Sequence, residues 1–288
     1  MGINIHTIKD IRSFLSAELD KIYQEPEKSS LINIVLKSVT GISIFHQLYD
    51  PSQEITESQA NRLFDISNEL KKGKPVQYIL GETEFYGLRI LLNEETLIPR
   101  PETEELVHLI IRENKDFSGK IIDFGSGSGC IAIALAANIK NAVVTGIEIS
   151  EKATEKAKKN AALNGVKVNF TTGDMLNPDT RSLEHSGIIV SNPPYVRESE
   201  KTLMHRNVLD FEPTAALFVP DGNPLKYYSS LVKTARKILL PGGKIYFEIN
   251  EAMGAGMYDL LASSGFSDVS IVKDINNKDR IIKGKKHA

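Results

Sequence analysis

From Lys120 onward, short apolar runs alternate with segments of helical period, and few folds accept that pattern. Strand candidates fall at 121–124, 143–149, 167–170, 187–190 and 244–249. Helix candidates fall between them at 131–139, 151–163 and 225–240, the last stopped by Pro241-Gly242-Gly243. Strands that alternate with helices pair in parallel, which predicts an α/β fold with a mainly parallel sheet. The tail offers a final strand pair at 269–272 and 280–282. In such a sheet ligands bind beyond the carboxyl ends of the strands. Attention therefore goes to the residues that follow each apolar run.

The part before this alternation reads differently. Ile8, Ile11, Phe14, Leu15 and Leu19 recur at helical spacing, as do Leu31, Ile34, Val35 and Val39. Asn61, Leu63, Phe64, Ile66 and Leu70 close this helical part before the polar breaker Lys71-Lys72-Gly73-Lys74-Pro75. Loose alternation over Glu84 to Ile90, and again over Thr96 to Ile98, suggests a β-hairpin bridging two domains. The predicted organisation is a small helical domain over 1–74, a linker and hairpin over 75–100, and an α/β domain over 101–288.

The first strand runs into Gly125-Ser126-Gly127-Ser128-Gly129 and then a helix. Glycines there permit a tight turn and let a ligand approach the backbone. Roughly twenty residues on, Glu148 ends the next strand, where an acid accepts ribose hydroxyls in nucleotide folds. The loop reads G-x-G-x-G and not the dinucleotide G-x-G-x-x-G. Asp123, just before it, would repel a pyrophosphate and suits a cationic amine. S-adenosyl-L-methionine has a ribose, an adenine and an α-amino group without a phosphate, and it is the predicted cofactor. After the third strand, Asp174 can accept from the adenine amine and Met175 can cover the ring.

The fourth strand leads to Asn192-Pro193-Pro194-Tyr195. Two prolines fix φ at successive residues and remove two backbone donors, so carbonyl oxygens face outward as acceptors. With the Asn192 side-chain acceptor and the Tyr195 ring, they form a receptacle for a planar NH2. Beside a methyl donor, this predicts a methyltransferase acting on a planar nitrogen. Asn192 and Pro193 would accept the two NH2 hydrogens, with Tyr195 against the plane; these three are the predicted catalytic residues, and Pro194 completes the substrate contact. The nitrogen could belong to an adenine or to an amide. A net charge of -2 and a pI near 6.3 argue against the broad basic footprint of a nucleic-acid enzyme.

Further stretches carry a family resemblance: Gly81 to Gly87, Ile98-Pro99-Arg100-Pro101-Glu102-Thr103-Glu104, Asp123 to Cys130, Val190 to Tyr195, Asp210-Phe211-Glu212-Pro213 and Asp279-Arg280. Together they resemble the HemK/PrmC class of peptide-chain-release-factor glutamine methyltransferases, over about residues 75 to 285. The resemblance implies a Rossmann-like class I methyltransferase sheet joined by a β-hairpin to a small N-terminal helical domain that binds the substrate. It implies methylation of the side-chain amide of the glutamine in the Gly-Gly-Gln motif of class I release factors, with a DNA or RNA adenine-amine methyltransferase as the alternative. It places the cofactor against Gly125, Ser126, Gly127, Ser128, Gly129, Glu148, Asp174, Met175 and Asn192, and the target glutamine in Asn192 to Tyr195. Arg100 and Glu102 match a loop near the cofactor. The chain departs where relatives often carry an aromatic at the position of Met175, and where Asn250-Glu251-Ala252-Met253 replaces a glycine-containing loop.

Several function classes recede. A single cysteine, Cys130, excludes an internal disulfide, and it heads a predicted core-facing helix. The six histidines lack metal-ligand spacing, so no metal is expected. Met1-Gly2 opens like a myristoylation start, but His6 stands where Ser or Thr is required. Charged residues near the start and the lack of a long apolar run predict a cytoplasmic protein with no membrane partner. Lys152, Lys156, Lys158 and Lys159 are predicted to form a solvated helix face opposite Ala153, Ala157 and Ala161.

Overall fold

The computed structural model describes residues 6–183 and 185–287, so the Met1-Gly2 reading lies outside the described residues. The chain divides into two units. One gathers the residues up to Gly81 together with His205–Phe211; the other comprises Glu82–Met204 and the rest from Glu212. The stretch 75–100, expected to join two domains, is therefore shared out between them.

The first unit is helical: α1 (Ile8–Leu19), α2 (Glu27–Thr40), α3 (Ile44–Tyr49), α4 (Glu57–Lys71) and α5 (Val76–Leu80). Capping boxes start two of them. Thr7 and Asp10 satisfy each other's backbone N–H at α1, and Thr56 and Gln59 do so at α4. Ile8, Ile11, Leu15 and Leu19 are buried against Leu63, Ile66 and Leu70, and Phe14 meets Phe64 edge to face at 4.7 Å. On α2 the buried stripe is Ile32, Val35 and Leu36, while Ile34 is 43% exposed. The predicted face was thus rotated slightly, because adjacent apolar residues leave two stripes open to a period count.

The second unit opens with the hairpin β1 (Glu82–Phe85) and β2 (Leu88–Leu91). Its two-residue turn, Tyr86-Gly87, has positive φ at both positions, as the twist of a tight hairpin demands. Then follow α6 (Pro101–Glu113), β3 (Gly119–Phe124), α7 (Cys130–Asn138), β4 (Ala142–Glu148), α8 (Glu151–Leu163), β5 (Asn169–Thr172) and β6 (Ser186–Ser191). The chain continues through β7 (Val196–Arg197), α9 (Arg206–Phe211, grouped with the first unit) and β8 (Phe218–Val219). It ends in α10 (Lys226–Ile238), β9 (Leu239–Glu248), α11 (Gly254–Ser263), β10 (Phe266–Lys273) and β11 (Asp279–Lys286).

Seven strands form one sheet in the order β10-β11-β9-β6-β3-β4-β5. The run from β9 to β5 is parallel, and β11 and β10 add antiparallel at the edge. β6 is buried along its whole length, as a central parallel strand covered on both faces must be. Ile122, Phe124, Ile189, Ile245 and Phe247 carry the core toward Tyr228, Leu231 and Ala235 of α10. The order reverses between β3 and β6, so their loops diverge at a topological switch point.

Two expectations are corrected. The third strand lies at Asn169–Thr172, two residues later than predicted, because Phe170 and not Val168 reaches the core. α10 ends at Ile238, before Pro241-Gly242-Gly243. Buried Leu239 already pairs with Ser186, and the register resumes at Ile188 and Lys244. The Pro-Gly-Gly stretch is an interruption within that β6–β9 pairing, with Gly242 at φ +76°. Ala153, Ala157 and Ala161 are buried on α8, and Lys152 and Lys158 pair with Glu95 and Glu155 at its surface. No helix among the described residues is long and apolar enough to cross a membrane.

Candidate active site

Register brings the predicted loops together at one edge of the sheet. Phe124 partners Ile147 on one side and Ser191 on the other, so Gly125 and Asn192 leave neighbouring strand ends. Glu148 is level with Thr172, and Ser191 with Phe247, which puts Glu248 at the same edge. The Ser191 hydroxyl donates to the Phe124 carbonyl at 2.7 Å and ties β6 to β3 at this edge.

The glycine loop is pinned by backbone bonds. Gly125 and Ser126 both donate to the Ile147 carbonyl, at 2.8 and 3.1 Å. Gly125 has φ +71°, which favours glycine, and a Cβ there would stand 2.6 Å from the methyl of the flexible Met175 side chain. At Gly127, with φ +53°, a Cβ would meet nothing, leaving the backbone open to a ligand. Gly127 N–H donates to Glu148 Oε2 at 2.8 Å, and Ser150 N–H donates to its Oε1 at 3.0 Å. Both oxygens keep lone pairs for hydroxyl donors. Asn160 holds the Ser128 carbonyl at 2.9 Å and fixes the far end of the loop before Gly129 caps α7.

Asp123 is fully buried and neither carboxylate oxygen has a partner in hydrogen-bonding geometry; the buried Ser126 hydroxyl is likewise unpartnered. Burial pushes the Asp123 carboxyl well above the usual range. The Ala132 N–H opposes this, and the charge of Glu148 adds to it. Asp174 closes a local turn: Oδ1 accepts from Leu176 N–H at 2.8 Å and Oδ2 from the Asn177 amide at 3.3 Å. Met175 packs against the core beside the loop, and its carbonyl accepts from Ser230. Ile149, immediately after Glu148, is 66% exposed and was not anticipated; an apolar residue at a strand's carboxyl end was the available signal. Cys130 is buried and its thiol is pushed up to about 12 by that burial, so it is packing and no nucleophile.

The Asn192 corner is built from distant segments. Pro193 and Pro194 are buried, and Asn192 and Tyr195 are half-buried. The Asn192 side-chain NH2 donates to Thr103 Oγ1 at 3.2 Å, and the Thr103 hydroxyl donates to Glu248 Oε2 at 2.7 Å. Tyr195 donates its hydroxyl to Glu248 Oε1 at 3.0 Å, while Tyr228 donates to the Glu248 carbonyl at 2.7 Å. Glu248 is 1% exposed, and burial raises its pKa. The bonds from Thr103 and Tyr195 and the charge of Arg280 pull the other way. Tyr195 is raised as well, by burial and then by the charge of Glu248. Arg280 is held by Asp274 at 3.1 Å, which gives the Asp279-Arg280 stretch its place near this pair.

Arg100 pairs with the buried Glu212 at 2.5 Å, which also accepts from Ile98 N–H at 3.3 Å. Asn250 caps the short turn over Glu251–Met253, accepting from Ala252 N–H at 2.9 Å. Sequence reasoning missed Thr103 and Glu248 as site residues. Glu248 carried the same signal as Glu148, an acid closing an apolar strand. Among the described residues, no group of three or more His, Cys, Asp or Glu side chains could hold a metal ion.

Comparison with known proteins follows the same division. The methyltransferase small domain family matches residues 103–217, and the PrmC N-terminal domain family matches residues 10–81. A release factor glutamine methyltransferase of Flavobacterium psychrophilum is 43% identical, over 96% of this chain and 98% of that protein. One from Bacteroides thetaiotaomicron is 40% identical, over 94% and 98%. A crystal structure of a methyltransferase from Pyrococcus furiosus shares the fold, with a TM-score of 0.53 at 16% identity, over 81% of this chain and all of that one.

Proposed function

The chain belongs to the release factor glutamine methyltransferase family, and from that premise we propose that it methylates the side-chain amide nitrogen of the glutamine in the Gly-Gly-Gln motif of class I release factors. The methyl donor in this reading is S-adenosyl-L-methionine, and a substrate of the translation machinery puts the reaction in the cytoplasm. The observation that carries it is the Asn192 amide, whose NH2 is occupied by Thr103 and whose oxygen is left as an acceptor beside the glycine loop.

The residues fit the cofactor. Glu148, oriented by two backbone donors, suits ribose hydroxyls, and the orphaned Asp123 carboxylate supplies a negative group for a cationic ligand. Gly127 leaves room at the backbone, and Ile149, Met175 and Asp174 stand where an adenine could be covered and hydrogen-bonded. When bound, the sulfonium supplies an activated methyl group.

The protein's own task is placement, since an amide nitrogen is a weak nucleophile with its lone pair delocalised into the carbonyl. Asn192 Oδ1 and the Pro193 carbonyl accept the two amide hydrogens, which fixes the NH2 and directs its lone pair toward the methyl carbon. Pro194 keeps that carbonyl direction rigid. Tyr195 lies against the amide plane, where its ring favours the positive charge developing on nitrogen. Once alkylated, that nitrogen is acidic and gives its proton to a carbonyl or water.

The test supplies labelled S-adenosyl-L-methionine with a class I release factor, with the same factor carrying alanine for the motif glutamine, and with duplex DNA. Label is expected on the intact factor alone. Label on the alanine factor or the DNA, with none on the intact factor, would overturn the reading.

A further inference from the structure

We propose that Thr103 and Glu248 are positioning residues that set which end of the Asn192 amide faces the acceptor, and so make the site select an amide over a carboxylate. The proposal rests on the reading above of a glutamine acceptor. A threonine hydroxyl has one hydrogen, and here it goes to Glu248 Oε2 at 2.7 Å. The oxygen of Thr103 can then only accept, and the group 3.2 Å away must be the NH2 of Asn192. Its Oδ1 is thereby turned to the acceptor. A substrate NH2 meets a matching partner there, whereas a carboxylate meets a lone pair.

The arrangement has little freedom to reverse. Thr103 is 2% and Glu248 1% exposed, so neither can exchange its partner for water. Tyr195 occupies the second oxygen of Glu248, and Tyr228 holds the Glu248 backbone carbonyl. Three segments therefore meet at the Thr103 hydroxyl, the start of α6, the residue after β6 and the end of β9, while α10 holds the Glu248 backbone. Without the Thr103 oxygen, neither orientation of the Asn192 amide is preferred, and part of the enzyme presents NH2 to the substrate's NH2.

The test compares wild type, Thr103→Val and Thr103→Ser in methylating a release factor. It measures kcat and KM, cofactor Kd by calorimetry, and inhibition by a factor whose motif glutamine is replaced by glutamate. Thr103→Val is expected to lower kcat about tenfold or more, since misplacement alone can cost that much, with KM and cofactor Kd near wild type. The glutamate factor should inhibit it more strongly than it inhibits wild type. Thr103→Ser, which keeps the hydroxyl, should restore turnover and discrimination. Wild-type kcat in a folded Thr103→Val, or a Thr103→Ser as impaired as the valine variant, overturns the proposal. If Thr103→Val lacks a cooperative melt, Glu248→Gln replaces it, because a carboxamide cannot accept from both hydroxyls; unchanged kcat and discrimination there overturn the proposal equally. A wild-type enzyme that leaves the glutamine factor unmethylated breaks the functional reading instead.

Discussion

The two halves of the site treat their polar groups in opposite ways. Around the glycine loop, Asp123 is buried with both oxygens unpartnered and the Ser126 hydroxyl is unpartnered too. Around Asn192, the polar groups close on one another: amide to hydroxyl, hydroxyl to carboxylate, carboxylate to phenol. A buried polar group without a partner costs stability, so the first half is tolerable as a place completed by a ligand. The second half is set before anything binds, and in the proposed mechanism the Asn192 oxygen and the Pro193 carbonyl are left for the acceptor. One half is built for occupancy and the other for orientation.

If that contrast is right, damage to the oriented half should appear in turnover and damage to the ligand half in affinity. The largest expected effect is Asn192→Ala. In the proposed mechanism it removes an acceptor that places the substrate nitrogen, and turnover should fall on the order of a hundredfold while cofactor affinity falls less. Steady-state kinetics alongside calorimetric Kd values would check this. Near-wild-type turnover would break the comparison at its centre.

Next in size is Asp123→Asn, which keeps the shape and removes the charge. Cofactor Kd should rise about tenfold to a hundredfold, the worth of one charge-assisted hydrogen bond. Without ligand the sign reverses. The folded carboxyl titrates above its ordinary value of 3.8, so the neutral form is the one the fold favours. That contribution is complete below the ordinary value and is lost as pH rises through the folded one. Ligand-free Asp123→Asn should therefore be more stable than wild type at neutral pH, by about 1–3 kcal/mol. The gap should shrink as the medium is acidified. Melting curves at several pH values, with and without cofactor, test both signs. An asparagine variant that is less stable at neutral pH would mean Asp123 has a partner in the free protein.

The same contrast governs how much could be read from the chain. The glycine loop, Asp123 and Glu148 lie within one strand-helix-strand stretch, so local spacing alone could suggest them as one group. The alternation after Lys120 carried the parallel sheet, because buried strands and amphipathic helices leave different periods. Asn192 to Tyr195 was visible as a rigid acceptor corner. Its partners were not: Thr103 lies 89 residues from Asn192 and 145 from Glu248, and no local period encodes such contacts. Asp174 is the opposite case, since its bonds to Leu176 and Asn177 are local turn bonds that any aspartate there can make. Arg100 likewise spends its charge on Glu212, which is 112 residues away.

A smaller effect is expected at Gly125→Ala. The added methyl meets the Met175 methyl and a φ of +71°, and flexible Met175 can yield where the backbone cannot. The cost should be about 1–2 kcal/mol of stability, read by denaturant unfolding, with a rise in cofactor Kd and little change in kcat at saturation. A kcat loss at saturating cofactor would mean the loop also orients the acceptor.

The finest discrimination comes from Tyr195→Phe. The ring survives, so contact with the amide plane is kept, but Glu248 Oε1 loses its donor. Thr103 still gives its hydrogen to Oε2, and the Asn192 orientation should persist. Turnover is therefore expected to drop only a few-fold, with folding stability lower by about 1 kcal/mol, the net worth of one hydrogen bond. Discrimination against a glutamate acceptor should stay at the wild-type level. A phenylalanine variant that loses discrimination as Thr103→Val does would show that both hydroxyls are needed to hold Glu248 in place. The orienting unit would then be the whole chain of four side chains, and not the Thr103–Glu248 bond alone.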